Sequence, residues 1–212
     1  MSSEVQEKES SHMPNDPSQS PQQMIKTNRL IMRSFRLVDV AYLESLLEDP
    51  SIPAGSPSWT LPHTDETVDE WIHKGRKLFE RGVLYGFAVF RAEGSKLVGY
   101  AGLRVDAIHA RAEISCWIGA PYRKQGIATE ACRALIRFGF DSLSLEKIFS
   151  LYAADQIDIK RMWKKLGMRK EATLRKHIKR GEERVDEDFF GLLSEEYWVL
   201  QFTDPKITSP GV

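Results

Sequence analysis

Arg123-Lys124-Gln125-Gly126-Ile127-Ala128-Thr129-Glu130-Ala131 follows a strand-like run, Ala112 to Gly119, and opens a strongly amphipathic helix. A strand-to-helix turn leaves the first N–H groups of the helix unpaired and pointing outward, and the helix dipole adds partial positive charge there, so this is a place for an anion. Gly126 and Ala128 matter by what they lack, because a larger side chain at either position holds a phosphate away from the backbone donors. The bland alternative is an ordinary turn with a capping glycine. Two other phosphate loops fit worse: the segment has neither the Gly-Lys-Ser/Thr ending of a Walker loop nor the three glycines of a dinucleotide loop. One glycine–alanine pair does not wrap a triphosphate but can seat one pyrophosphate.

Around this loop, 212 residues with 42% hydrophobic content and no apolar run of membrane-helix length describe one globular domain with a true core. Residues 1–25 read as a disordered polar tail, 26–202 as the folded domain and 203–212 as a C-terminal tail; the first stretch has too few apolar side chains to offset ordering entropy and lacks the hydrophobic core of a signal peptide. The 30 basic and 30 acidic residues balance, which removes the composition argument for nucleic acid as the main partner. Two cysteines, Cys116 in a strand and Cys132 in a helix, suit buried thiols of a reducing, cytoplasmic compartment and are too few for a disulfide framework or a zinc site; no metal is expected.

Hydrophobic periodicity predicts a strand over 29–33, a helix over 39–47, and a second helix carrying Val68, Trp71, Ile72, Leu78 and Phe79 between a cap at Thr64 and a stop at Gly82. Strands over 85–91, 96–106 and 112–119 follow as hairpins, then the Gly126 helix, a strand over 147–154, a helix over 158–166 ending at Gly167, and strands over 168–175 and 184–193. In the strand before the loop, Ile114, Cys116 and Ile118 alternate with Glu113, Ser115 and Trp117, so one face is expected to be core and the other not.

The loop pattern Arg/Gln-x-x-Gly-x-Gly/Ala resembles the pyrophosphate loop of the GNAT superfamily of N-acyltransferases, and four further stretches sharpen the resemblance to its RimJ/RimL-type branch over roughly residues 27–197. These are Thr27-x-Arg29-Leu30-x-x-Arg33, Ala112-Glu113-Ile114 before Trp117-Ile118-Gly119, Ala128-Thr129-Glu130-Ala131, and Lys165-Leu166-Gly167-Met168 with Glu171, Leu174-Arg175, Asp186 and Gly191-Leu192-Leu193. The resemblance implies an α+β fold whose central, mostly antiparallel mixed sheet is splayed at the CoA site and flanked by helices. It implies acetyl-CoA as co-substrate, backbone bonds from Cys116, Trp117 and Ile118 to the pantetheine, and pyrophosphate contacts from the loop residues Arg123, Lys124, Gln125, Gly126, Ile127, Ala128 and Thr129. The acceptor would be a primary amine, either a protein N-terminus or a small molecule, and the enzyme a monomer or homodimer with no membrane partner.

Departures from the family pattern limit the chemistry that carries over. The family's frequent asparagine is Gln156, whose longer arm keeps an amide for CoA; its small residue three positions on is Ile159; the tyrosine acid of some branches is Trp163, and the glutamate base of others is Leu151. Ile159, Met162, Trp163 and Leu166 form an i, i+3, i+4, i+7 stripe, which reads as a core-facing helix. Glu113 is left as the candidate base, against a structural ion-paired reading, with His177, Asp106, Tyr100 and His109 behind it. A weak base suits an easy amine: at pH 7 an α-amino group with pKa about 7.7 is neutral in roughly a sixth of molecules, a lysine side chain in about 0.04%. Residues 160–184 hold eleven basic side chains against Glu171, Glu182 and Glu183, read as solvated faces or as an attraction for CoA phosphate or an acidic partner such as RNA. A GNAT-like module that binds acyl-CoA without turnover is the competing class.

Overall fold

The computed structural model describes residues 23–52, 57–63 and 65–203. Eight strands form one sheet in the order β1-β2-β3-β4-β5-β6-β8-β7. They are β1 (Met24–Lys26), β2 (Leu30–Arg33), β3 (Leu84–Arg91), β4 (Leu97–Asp106), β5 (Arg111–Ile118), β6 (Lys147–Ala153), β7 (Arg169–Arg180) and β8 (Glu183–Leu193). Every neighbouring pair is antiparallel except β5 and β6. That exception follows from the chain path, since a parallel pair needs a crossover and the helix after Gly126 provides it.

Flanking the sheet, among the described residues, are the helices α1 (Val40–Leu47), α2 (Val68–Glu80), α3 (Ile127–Leu143), α4 (Ile157–Lys165) and α5 (Ser194–Thr203). α3 buries Ala131, Cys132, Leu135 and Ile136 against Leu103, Ile114 and Ile148 on one face of the sheet. The other face carries a second core under α1 and α2, built on Phe35, Leu43, Trp71, Tyr100 and Trp117. Tyr100 stacks between Phe35 and Trp117, with ring centroids 6.2 and 6.1 Å away. Gly102 and Gly86 make room for its hydroxyl: a Cβ at Gly102 would collide with that oxygen.

Several expectations are corrected here. Met24 and Ile25, placed in the tail by composition, pair with Arg33 and Met32 as strand β1; residues 1–22 and 204–212, most of the two predicted tails, lie outside the described residues. Thr64 is also outside them, and α2 is capped by Thr67, whose hydroxyl accepts the Glu70 N–H while the Glu70 carboxylate accepts the Thr67 N–H, a capping box. β5 has no solvent face: Glu113, Ser115 and Trp117 are buried as Ile114 and Ile118 are, because a second core covers the side that alternation alone assigns to water. Of the two thiols, Cys132 is buried and Cys116 only partly so. Helix α5 is not legible in the pattern, which gives it little amphipathic contrast beyond Tyr197.

Candidate functional site

The parallel pairing of β5 with β6 consists of Arg111, Ala112 and Glu113 opposite Lys147, Ile148 and Phe149. Beyond Glu113 the strands part, while β5 stays paired with β4 as far as Ile118 opposite Gly99. The outer backbone edge of β5 from Ile114 to Ile118 therefore has no strand beside it among the described residues. Close approach on its inner side fixes its line: a Cβ at Gly99 would overlap the Trp117 carbonyl. Between the parted strands lies a cavity of about 700 Å³, walled by Ser115, Cys116, Trp117 and Ile118 of β5, by Ser150, Leu151 and Tyr152 of β6, by the 122–129 segment, and by α4.

The mouth of the cavity is the N-terminus of α3. The first bond of that helix runs from the Glu130 N–H to the Gly126 carbonyl at 3.0 Å, so the N–H groups of Ile127, Ala128 and Thr129 have no partner within the helix, and no side chain caps it. Lys124 and Gly126 both have left-handed backbone, φ 59° and 78°, which turns the chain sharply into the helix. The φ at Gly126 is one that L side chains rarely adopt, so the turn itself requires glycine; on the protein side a Cβ there would meet only the Arg29 guanidinium, at an ordinary 3.4 Å.

The loop is held from two sides. Arg29 donates to the Gln125 carbonyl at 3.0 Å and from Nε to Glu130 at 2.6 Å, and Thr27 donates to the same carboxylate at 2.6 Å. Burial raises the Glu130 pKa, but the bonds from Thr27 and Arg29 outweigh it and hold the carboxyl below its usual range. On the other side Arg123 donates to the Ile118 carbonyl (2.7 Å), the Ser51 hydroxyl (2.7 Å) and Asp49 (3.0 Å), tying the end of β5 to the segment after α1. The Arg123 guanidinium is thus a clamp on the cavity wall, while Lys124 makes no ion pair among the described residues.

The structure gathers Cys116, Trp117, Ile118, Arg123, Lys124, Gly126, Ile127, Ala128, Thr129 and Gln156 around one cavity; of the loop residues Gln125 alone faces elsewhere, its amide donating to the Pro121 carbonyl at 3.1 Å. Glu113 does not line it. This carboxylate sits at the last paired position before the split, 5% exposed, and binds Arg104 at 2.5 Å. Asp106 and His109 are at the far hairpin, where Asp106 accepts from the His109 N–H and from Arg111. Tyr100 is a core ring of the opposite face. His177 is exposed on β7, 3.7 Å from Glu187.

Two features of the cavity wall, and one carboxyl outside that wall, carry no motif. Glu187 is a half-buried carboxyl whose pKa is raised by burial, with His177 lowering and Glu113 raising it further. The α4 stripe serves two purposes: Trp163 and Leu166 are core, yet Ile159, Met162 and Trp163 also wall the cavity. Tyr152 lines the cavity with a buried hydroxyl that has no partner among the described residues. The basic run is partly neutralised inside the fold, by Lys170 with Asp188 (2.5 Å), Arg180 with Asp155 (2.8 Å) and Arg169 with Glu196 (2.8 Å). No metal-ligating cluster and no helix long and apolar enough to cross a membrane occur among the described residues.

Residues 29–169 match the family model described as the acetyltransferase (GNAT) domain. The chain is 27% identical over 174 residues to the uncharacterized N-acetyltransferase YnaD of Bacillus subtilis (strain 168), covering 82% of this chain and 98% of that protein. Among solved structures it superposes on RimL, a ribosomal L7/L12 alpha-N-protein acetyltransferase in complex with coenzyme A, with a TM-score of 0.72 at 16% identity, over 81% of this chain and 98% of that one. It also superposes on a spermidine N-acetyltransferase from Vibrio cholerae in complex with CoA and spermine, with a TM-score of 0.69 at 20% identity, over 80% of this chain and 98% of that one. At these identities the two superpositions establish the fold.

Proposed function

Because the chain belongs to the acetyltransferase (GNAT) family, we propose that it moves an acetyl group from acetyl-CoA to a primary amine, either a protein N-terminus or a small-molecule amine, in the cytoplasm. The observation that carries this reading is the continuity between two sets of unsatisfied backbone donors: the N–H groups of Ile127, Ala128 and Thr129 at one end of the cavity and the unpaired edge of β5 along its wall. The first set suits a pyrophosphate, and the second suits the amide-bearing arm between it and the thioester. Gln156 and Lys124, both on the cavity, would add an amide contact and a charge to CoA.

Bound acetyl-CoA would supply the thioester that an amine attacks. Negative charge then grows on the thioester oxygen, and an N–H of the β5 edge can bind it without reorganisation, which is worth most in a site closed to water. The amine must arrive neutral or lose its proton on attack. Glu113 is proposed to take that proton through water: it is the carboxylate just below the point where β5 and β6 part, and it is reached indirectly because Arg104 holds it outside the cavity wall. Relatives in fold carry names for both a protein N-terminus and a polyamine as acceptor.

The test is Ala128→Glu. Ala128 is in the first turn of α3 on the cavity, so a carboxylate there both fills the anion site and repels a phosphate. Calorimetry should find acetyl-CoA binding abolished in a variant that melts like the parent. Free-thiol release by the parent with a panel of amines separates an acetyltransferase from a module that binds acetyl-CoA without turnover. Unchanged affinity in a folded Ala128→Glu protein would remove the basis for the cofactor assignment.

A further inference from the structure

The turn after α1 and the connection that carries β5 into α3 meet along a seam that Asp49 and Arg123 fasten. Asp49 divides its carboxylate between the two sides: Oδ1 accepts from the Ser51 N–H (3.0 Å) and hydroxyl (2.5 Å), and Oδ2 from the Arg123 guanidinium (3.0 Å). The Ser51 bonds first, with the Arg123 charge and the Ala120 N–H behind them, hold this carboxyl below its ordinary range. The turn closes on itself through the Ile52 N–H, which donates to the Asp49 carbonyl at 3.0 Å. From the other side Arg123 also holds the Ser51 hydroxyl and the Ile118 carbonyl, each at 2.7 Å. Two more contacts run along the seam: the Tyr122 phenol accepts from Lys96 and from Tyr42 of α1, and a Cβ at Gly119 would run into the Leu46 side chain at 2.8 Å.

The two sides belong to different layers of the molecule. Ile52, 1% exposed, is part of the second core with Leu43, Trp71 and Trp117, whereas Arg123 leads into the anion site at the N-terminus of α3. Ser51, Ile52 and Arg123 nevertheless line the same cavity. The three bonds engage three of the five N–H groups of the guanidinium, so Arg123 keeps donors for an anion while it grips the turn. Its pair with Asp49 is open to solvent, 39% and 24% exposed, and so adds little to stability. Resting on the acetyltransferase reading above, we infer that Asp49 is a positioning residue that acts through Arg123: a pyrophosphate seated on the α3 N-terminus restrains Arg123, and Arg123 passes that restraint to the Asp49–Ile52 turn, fixing the wall that Ser51 and Ile52 give the cavity. Such coupling is reciprocal. An acceptor that touches this wall binds tighter with CoA in place, and CoA binds tighter with the acceptor in place, by the same factor.

The experiment is amide hydrogen exchange of the full chain with and without CoA, on the parent, Asp49→Asn and Arg123→Lys. Lysine keeps the charge for a phosphate but not the planar fork that joins Ile118, Ser51 and Asp49. In the parent, CoA should slow exchange at 127–131 and also at 48–52, the latter by about fivefold or more, the low end of measured couplings. In both variants the protection at 127–131 should persist and that at 48–52 should be lost. Asp49→Asn should melt close to the parent and lose no more than about that fivefold in CoA affinity by calorimetry; with an amine that the parent acetylates, KM should rise by a similar factor and kcat should stay nearly unchanged. If Asp49→Asn does not fold, Arg123→Lys decides by the same exchange readings. Protection at 127–131 with none at 48–52 in the parent would overturn the inference, as would protection at 48–52 that survives in the folded variants. So would an Asp49→Asn protein with a lower melting temperature and an unchanged KM, which makes the pair structural. A parent in which CoA neither binds nor slows exchange anywhere fails the acetyltransferase reading itself, a result distinct from these.

Discussion

Removing the indole of Trp163 separates its two places in the molecule. The side chain is 2% exposed, packed in the α3-side core with Leu166 and Met168, and it also walls the cavity. A buried tryptophan withdraws about 200 Å² from water, worth about 5 kcal/mol at 25 cal/mol per Å² as an upper bound; truncations of this size measure about 3–5 kcal/mol. The indole N–H, however, is buried with no partner among the described residues, a penalty of about 1–3 kcal/mol that Trp163→Ala relieves. The net expectation is a loss of about 2–4 kcal/mol, or about 4–16 °C in melting temperature for a domain of this size. Trp163→Phe sheds the N–H and keeps most of the ring, so it should melt within a few degrees of the parent. Differential scanning calorimetry of both variants, with acetyl-CoA titrations on the folded proteins, measures this. If Trp163→Ala melts like the parent and loses activity, the core assignment is wrong and the indole is a site residue.

Two further outcomes follow from the carboxylates. Glu113→Gln keeps shape but accepts no proton, so turnover should drop about 100-fold with acetyl-CoA affinity nearly unchanged; near-parental turnover and pH profile would leave Glu113 as the buried partner of Arg104 and nothing more. Glu130, held below its usual pKa on balance by Thr27 and Arg29, contributes stability that is present above the unfolded carboxyl value of about 4.3 and is lost as pH falls through the lower folded value. Glu130→Gln should therefore separate from the parent in melting temperature near neutrality and converge with it in acid, and it should weaken acetyl-CoA binding by loosening the Arg29 grip on Gln125. A constant difference across that pH range would show that the ion pair carries no such stability.

The loop at 123–131 and the strand before it opened the reading of the fold, which the four further stretches then sharpened, because they combine two local signals: the change from period-2 to period-3.6 hydrophobicity, and a glycine where the chain turns with positive φ. Most of the residues around the cavity were legible for the same reason, since a helix N-terminus brings its own donors wherever it is placed. What lies on the far side of a strand is not a local property. Trp117 looks solvent-facing by alternation and is buried, because α1 and α2 return over that face from 30 or more residues away. Glu113 reads equally as a base or as an ion-paired structural glutamate, and its partner is named only when β4 sets Arg104 opposite it. Trp163 reads as core and is also cavity wall, because a helix stripe cannot state where the sheet beneath it opens. Tyr152 has no motif at all: it becomes part of the cavity wall only because β6 leaves β5 after Phe149. Sequence determined the backbone donors, which belong to local conformation; tertiary structure decided the side-chain chemistry facing them, which depends on where two strands stop pairing.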